Sequence, residues 1–219
     1  MQAEIDNVSI KTEDVMKLIG PIEVDENRIA RFLRLTDNNV EETAKLLKED
    51  IKWREEIIQT VLNPDDVDRF HKEAEILKNC DINGNGIILV RSRFHKRLKT
   101  KAERELFLKF TMQMIEKLAK GTKQFSVIID LLDLSISNFD LKSLIMELTA
   151  FNAHYADLLS TCLILKPFWL FDYIFGMVRH LLSSNVVERI HLIHNETELE
   201  NFIDRKILPS DVSFSQCKE

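Results

Sequence analysis

Four short runs rich in Ile, Val and Leu, at residues 87–90, 126–129, 162–165 and 190–193, alternate with helical stretches, and this alternation constrains the fold most. Each run is too short for a helix and has the composition of a buried strand. The intervening stretches 102–119, 141–153 and 170–182 carry apolar residues at helical spacing. Strands separated by helices need crossover connections, which lay the strands parallel in one sheet with helices on its faces. The expected class is α/β, a mostly parallel sheet flanked by helices.

The first third reads differently. Ile29, Phe32 and Leu33 form an apolar stripe behind Asp25, a residue suited to capping a helix N-terminus. Asn39 with Glu42 three residues later has the spacing of a capping box, and Ala44, Leu47, Ile51 and Arg54 follow at three- and four-residue steps, predicting a helix over 39–60. Pro64 is expected to end this region and open a polar connector. With about 150 residues per domain as a guide, the 219 residues divide into a helical N-terminal lobe (1–64), an α/β lobe (80–210) and a C-terminal tail (211–219).

Composition removes several function classes. Thirty basic and 36 acidic residues give a net charge of −6, against sequence-independent binding of nucleic acid, which needs a basic footprint. Gly84 and Gly86 begin a G-x-G, but Leu89 stands where a third glycine would fall, and no phosphate loop follows. Cys80, Cys162 and Cys217 are an odd number without a C-x-x-C, so neither a disulfide scaffold nor a thiolate zinc site is expected, and the compartment reads as reducing. No signal peptide is visible, and the most apolar stretch, 167–178, is interrupted by Asp172 and falls short of the roughly 20 residues that span a bilayer.

Local chemistry is sparse. Asp81-Ile82-Asn83-Gly84-Asn85-Gly86 opens like a calcium loop, but the twelfth position is Ser92 and a strand follows, so a tight turn is expected. His191 and His194 are three apart, a separation that begins on an expected strand, where such residues point to opposite faces, and no third ligand is evident. Cys162 is expected as a packing residue. Asp130 and Asp133 follow a strand end, where α/β enzymes place carboxylates, yet no base or phosphate loop accompanies them. No catalytic residue, metal or cofactor is expected; an enzyme using Asp130 or Asp133 stays open as an alternative.

Two features are less ordinary. Arg91, Arg93, Lys96, Arg97, Lys99 and Lys101 form a basic run that could hold anionic headgroups at about 1 kcal/mol per charge, or be a solvated loop. Phe168, Trp169, Phe171, Tyr173, Ile174, Phe175 and Met177 make one helix apolar nearly all round, as core or as a surface for an apolar ligand or membrane.

Over residues 25–209 the wording resembles the CRAL-TRIO lipid-binding domains. Arg31-Phe32-Leu33-Arg34, Asn39-Val40-Glu41-Glu42-Thr43-Ala44 and Lys52-Trp53-Arg54 are similar to the family's N-terminal helical region, and Val127-Ile128-Ile129-Asp130 with Leu134-Ser135 to its central strand and turn. Pro167-Phe168-Trp169, Met177 to Leu182, Glu188 to Leu192 and Ile207-Leu208-Pro209 resemble its strand end, gate helix, last strand and closing I-L-P. His154-Tyr155-Ala156-Asp157 stands where Y-P-x-[RK] is common, so the resemblance carries no phosphatidylinositol specificity.

The resemblance implies a non-enzymatic protein that binds a lipid or other hydrophobic small molecule under a gate helix and transfers it between membranes. A 16-carbon chain costs about 13 kcal/mol to move into water at roughly 0.8 per methylene, a penalty that a dry cavity removes. The pocket implied is lined by Val127, Ile129, Leu163, Leu165, Phe168, Phe171, Ile174, Phe175, Met177, Leu181 and Ile190. Arg91, Arg93, Lys96 and Arg97 would form a headgroup or membrane patch, with Arg54 and Arg189 as further basic positions. A cytoplasmic, peripherally membrane-associated protein is implied, with no nucleic-acid partner and any protein partner unknown. The competing reading is an interaction module with the same fold and a vestigial pocket.

Overall fold

A computed structural model describes residues 2–119 and 124–212, with side chains from residue 11 onward. Cys217, Gly121 and the tail from 213 on lie outside the described residues. The chain divides into two compact units, residues 1–60 and 61–219.

The first unit is three helices: α1 (Gln2–Ile19), α2 (Glu26–Leu35) and α3 (Val40–Ile57). Asp25 caps α2 by accepting from the Asn27 amide at 3.0 Å, and Asn39 caps α3 by accepting from the Glu42 amide at 3.1 Å. Both caps fall where the sequence places them. One apolar stripe from each helix meets in a small core of Val15, Ile19, Ile29, Phe32, Leu33, Ala44 and Leu47.

In the second unit, α4 (Pro64–His71) leads into β1 (Ala74–Cys80), β2 (Gly86–Arg91), α5 (Lys101–Ala119), β3 (Phe125–Asp130), α6 (Leu141–His154), β4 (Leu159–Leu165), α7 (Trp169–Val178), α8 (Ser184–Val187), β5 (Ile190–Ile193) and α9 (Glu196–Leu199). The five strands lie in the order β1-β2-β3-β4-β5; β1 is antiparallel to β2 and the other pairs are parallel. All four expected strands are present. The stretch read as a connector instead holds α4 and β1. Pro64 begins α4 rather than ending a helical region, because a proline at the first helical position lacks only an N–H that would be unpaired there anyway.

The sheet has two buried faces, and the strand register assigns side chains to each. Ile88, Val127, Cys162 and Ile190 lie side by side in one row, and Val90, Ile129 and Ile164 in the next on the same face. The opposite face carries Ile87, Leu89, Ile128, Leu163, Leu165 and Ile193, covered by Leu199, Ile203, Leu208 and Val212. That second face is a solid core. The first is not.

The connection between β1 and β2 is a tight turn with Gly84 at φ +81°, a left-handed conformation that a side chain would strain. Asp81 organises it: one carboxylate oxygen accepts from the amides of Asn83 (2.9 Å) and Asn85 (2.8 Å), the other from Ser126 Oγ (2.6 Å) and Asn85 Nδ2 (3.0 Å). Burial works to raise its pKa, but these hydrogen bonds outweigh it and hold the carboxyl below its ordinary value. The motif that opens like a calcium loop therefore ties the β1–β2 turn to β3 through its first aspartate.

Candidate functional site

A cavity of about 310 Å³ lies over the first face of the sheet. Its floor is the two rows of strand residues, Ile88, Val90, Val127, Ile129, Cys162, Ile164 and Ile190. Its walls come from α5 through Phe107, Met112 and Ile115, and from α6 through Leu144, Leu148 and Phe151. The side from α7 consists of Phe171, Ile174, Phe175 and Val178, spaced i, i+3, i+4 and i+7 so that one helix face looks into the cavity. The rings of Phe171 and Phe175 stack at 5.5 Å. The other face of α7 is not buried: Trp169 is 67% and Tyr173 64% exposed. A helix apolar all round is explained here by two apolar environments, cavity inside and an aromatic surface outside.

Six of the eleven expected pocket residues line the cavity: Val127, Ile129, Phe171, Ile174, Phe175 and Ile190. Leu163 and Leu165 sit in the solid core on the opposite face, since β4 is apolar on both sides and Cys162 and Ile164 take the cavity positions. Phe168, Met177 and Leu181 are partly buried but do not line the cavity; Phe168 precedes α7, and Leu181 falls in a 3-10 turn (Arg179–Leu181) after α7 has ended at Val178. The Cys162 thiol is pushed up to about 12 by burial, so it stays protonated and inert.

The expected basic patch divides. Arg91 is buried and paired with Glu75 and with Asp211 (3.1 Å), and Arg93 pairs with Asp211 and donates to its carbonyl at 3.0 Å. These two arginines tie the end of β2 to the chain near its last described residues and are not offered to a membrane. Lys96 and Arg97 are exposed, as are Lys99 and Lys101. Arg189 donates to the carbonyls of Asp157 and Leu159, bracing the start of β4. Arg54, in the first unit, is buried against Asp50 at 2.9 Å. Asp130 is fully buried, accepts from the Leu132 amide at 3.1 Å and has Lys166 Nζ at 3.7 Å; Asp133 is exposed. Neither carboxylate lines the cavity.

Sequence reasoning missed the polar part of the wall. Glu73, Ser92, His95, Asp140, Ser143 and Glu147 line the cavity beside the carboxyl ends of β2 and β3. His95 is hydrogen-bonded through Nδ1 to Glu73, and Ser143 donates to Glu147 at 3.1 Å. Asp140 caps α6, accepting from the amides of Lys142 (3.0 Å) and Ser143 (3.2 Å), while Arg104 donates to its other oxygen at 3.0 Å. Burial, with the negative charge of Glu73 behind it, pushes the Glu147 carboxyl up to about 8, against the opposing pull of Ser143 and His95. Burial works against the His95 cation, but the hydrogen bond and charge of Glu73 outweigh it and raise the imidazole above its ordinary value. The one sequence signal was Ser143 and Glu147 four apart on one face of a helix that also carries Lys142, Thr149, Asn152 and His154.

Compared with known families, residues 70–213 match the CRAL/TRIO domain model. The chain belongs to the CRAL/TRIO domain family. Among curated proteins this CRAL/TRIO chain is similar to a CRAL-TRIO domain-containing protein of Schizosaccharomyces pombe, 27% identical over 189 residues, which cover 80% of this chain and 42% of that protein. It is also similar to the phosphatidylinositol transfer protein CSR1 of Eremothecium gossypii, 24% identical over 205 residues, 85% of this chain and 46% of that one. The CRAL/TRIO chain thus spans under half the length of these relatives. In fold it is similar to the crystal structure of Sfh5, with a TM-score of 0.65 and 12% identity, covering 80% of this chain and 67% of that one. Among the described residues, no helix is long and apolar enough to cross a membrane.

Proposed function

We propose that this chain binds one lipid or other small hydrophobic molecule in the cavity over the sheet and carries it between membranes, with α7 as the lid. The observation that carries the reading is the cavity itself, floored by two rows of strand side chains and closed on one side by the inward face of α7. Its volume, about 310 Å³, falls at the low end of the roughly 300–1,000 Å³ of small-molecule sites. Membership of the CRAL/TRIO domain family and the likeness to a protein named for phosphatidylinositol transfer support the same class of function. The vestigial-pocket alternative fits less well with an open apolar volume of this size.

The lid reading rests on the two faces of α7. Swinging the helix outward at a bilayer would bring Phe171 and Phe175 to join the exposed Trp169 and Tyr173 against lipid; swinging it back would seal the cavity before departure. Exposed Lys96 and Arg97 are the remaining candidates for contact with anionic headgroups.

The test is transfer of a fluorescent lipid between donor and acceptor vesicles. Phe171→Asp combined with Phe175→Asp should abolish transfer while circular dichroism keeps its helix and strand content. Undiminished transfer by a folded double variant would remove α7 from the mechanism.

A further inference from the structure

The polar wall of the cavity has a charge pattern that says what kind of head it can receive. Four residues lining the cavity carry ionisable carboxyl or imidazole groups: Glu73, His95, Asp140 and Glu147. Two of the three carboxyls already have a cationic partner. Glu73 holds His95, and Asp140 holds Arg104, which stands outside the lining at 3.0 Å. No lysine or arginine lines the cavity among the described residues. Glu147 has a hydroxyl neighbour, Ser143 Oγ at 3.1 Å, and among the described residues no lysine or arginine is bonded to it.

We propose that Glu147 and Ser143, backed by the Glu73–His95 pair, form a subsite for the uncharged hydroxyl head of a single-chain or compact hydrophobic ligand. This rests on the cavity being the ligand site and names the class of ligand it takes. A phosphoester placed here would face three carboxyl groups with no unpaired cation to receive it, and a buried unmatched anion is strongly disfavoured. An ammonium would gain a partner here only by ionising Glu147, whose burial is the largest cause holding it protonated. A hydroxyl needs only one donor and one acceptor, and the Glu147 carboxyl, protonated at neutral pH because burial raises its pKa, supplies both.

The ligand's tail then runs along the sheet floor past Val127 and Ile129 toward the face of α7 that holds Phe171 and Phe175. With a volume near 310 Å³, one chain fits this geometry better than the two of a diacyl lipid.

Displacement of diphenylhexatriene from the purified chain at pH 7 tests the subsite with three competitors that share a tail: dodecan-1-ol, dodecylamine and dodecyl phosphate. The alcohol is expected to displace the dye at a concentration about tenfold below either charged competitor, the equivalent of one well-made hydrogen bond. Glu147→Leu should erase that preference and Glu147→Gln, which keeps a donor and an acceptor, should retain it. Ser143→Ala serves if the leucine variant does not fold, and should lower the preference. Equal or tighter displacement by the amine or the phosphate overturns the inference, as does an unchanged preference in folded Glu147→Leu. Failure of the dye to bind at all strikes instead at the cavity as a ligand site.

Discussion

Replacing Glu147 with glutamine should stabilise the protein at neutral pH and leave its stability in mild acid nearly unchanged. The carboxyl is pushed up to about 8 in the fold, against 4.5 for an ordinary glutamate, so between those two values the folded state holds a proton that the unfolded chain has released. Wherever the folded state binds more protons, stability falls as pH rises. Glu147 therefore contributes fully below pH 4.5 and loses ground from there to about pH 8, after which the loss is complete. At pH 7 the deficit is about 3 kcal/mol, taking roughly 1.4 kcal/mol for each pH unit travelled from 4.5. Glutamine keeps the side-chain shape and the acceptor for Ser143, and does not titrate. The assay is urea unfolding at pH 4 and pH 7, followed by Trp169 fluorescence in a Trp53→Phe background so that the signal reports on residues 61–219. With a urea slope of about 1–3 kcal/mol per molar, the midpoint at pH 7 should rise by at least about 1 M in Glu147→Gln and barely move at pH 4. A shift of equal size at both pH values, or none at pH 7, would refute the reasoning and leave Glu147 an ordinary ionised glutamate.

The two faces of the sheet should respond oppositely to size. Leu163→Ala opens a hole in the solid face and should cost about 2–5 kcal/mol in urea unfolding, whereas Val127→Phe fills existing space and should leave stability nearly intact while cutting diphenylhexatriene uptake. Raising pH through the elevated pKa of His95 should remove stabilisation that its cation with Glu73 supplies at lower pH; His95→Gln should flatten that part of the pH–stability curve. In the first unit, Arg54→Ala removes one cation from the buried Asp50 carboxylate, which keeps Arg28 at 4.0 Å, and should destabilise by less than the about 3–5 kcal/mol of an uncompensated buried charge, measured on residues 1–60 through Trp53 fluorescence in a Trp169→Phe background.

How much of this was legible in the sequence depends on how far apart the cooperating residues lie. Strands β2, β3 and β4 announce themselves as compact Ile, Val and Leu runs because both their faces are largely buried, while β5, an edge strand with Leu192 exposed, keeps a shorter Ile-His-Leu-Ile run. β1 does not, since it is an edge strand whose Ala-Glu-Ile-Leu-Lys-Asn-Cys mixes polar residues and fades from buried to exposed along its length. The N-caps of α2 and α3 are local chemistry and were readable from two or three residues. The inward face of α7 was partly readable, because its aromatics recur at helical spacing.

On β4 the side facing the cavity was not readable. Cys162, Leu163, Ile164 and Leu165 are all buried and apolar, so alternation gives no clue, and only the register with β3 assigns Cys162 and Ile164 to the floor. Arg91 looks like part of an exposed basic run, and its burial depends on Glu75 and on Asp211, far away in the chain. The polar wall was least visible of all. Glu73, His95 and the Asp140–Glu147 pair of α6 belong to three separate segments and no motif joins them; strand pairing and the packing of α6 bring them to one end of the cavity.

Organic extraction of the purified chain followed by quantitative mass spectrometry reads the cavity most directly. About one hydrophobic molecule per chain is expected, falling sharply in Val127→Phe. Chains that emerge empty from several expression hosts and also refuse diphenylhexatriene would make the space over the sheet a packing void and contradict its role as a carrier's hold.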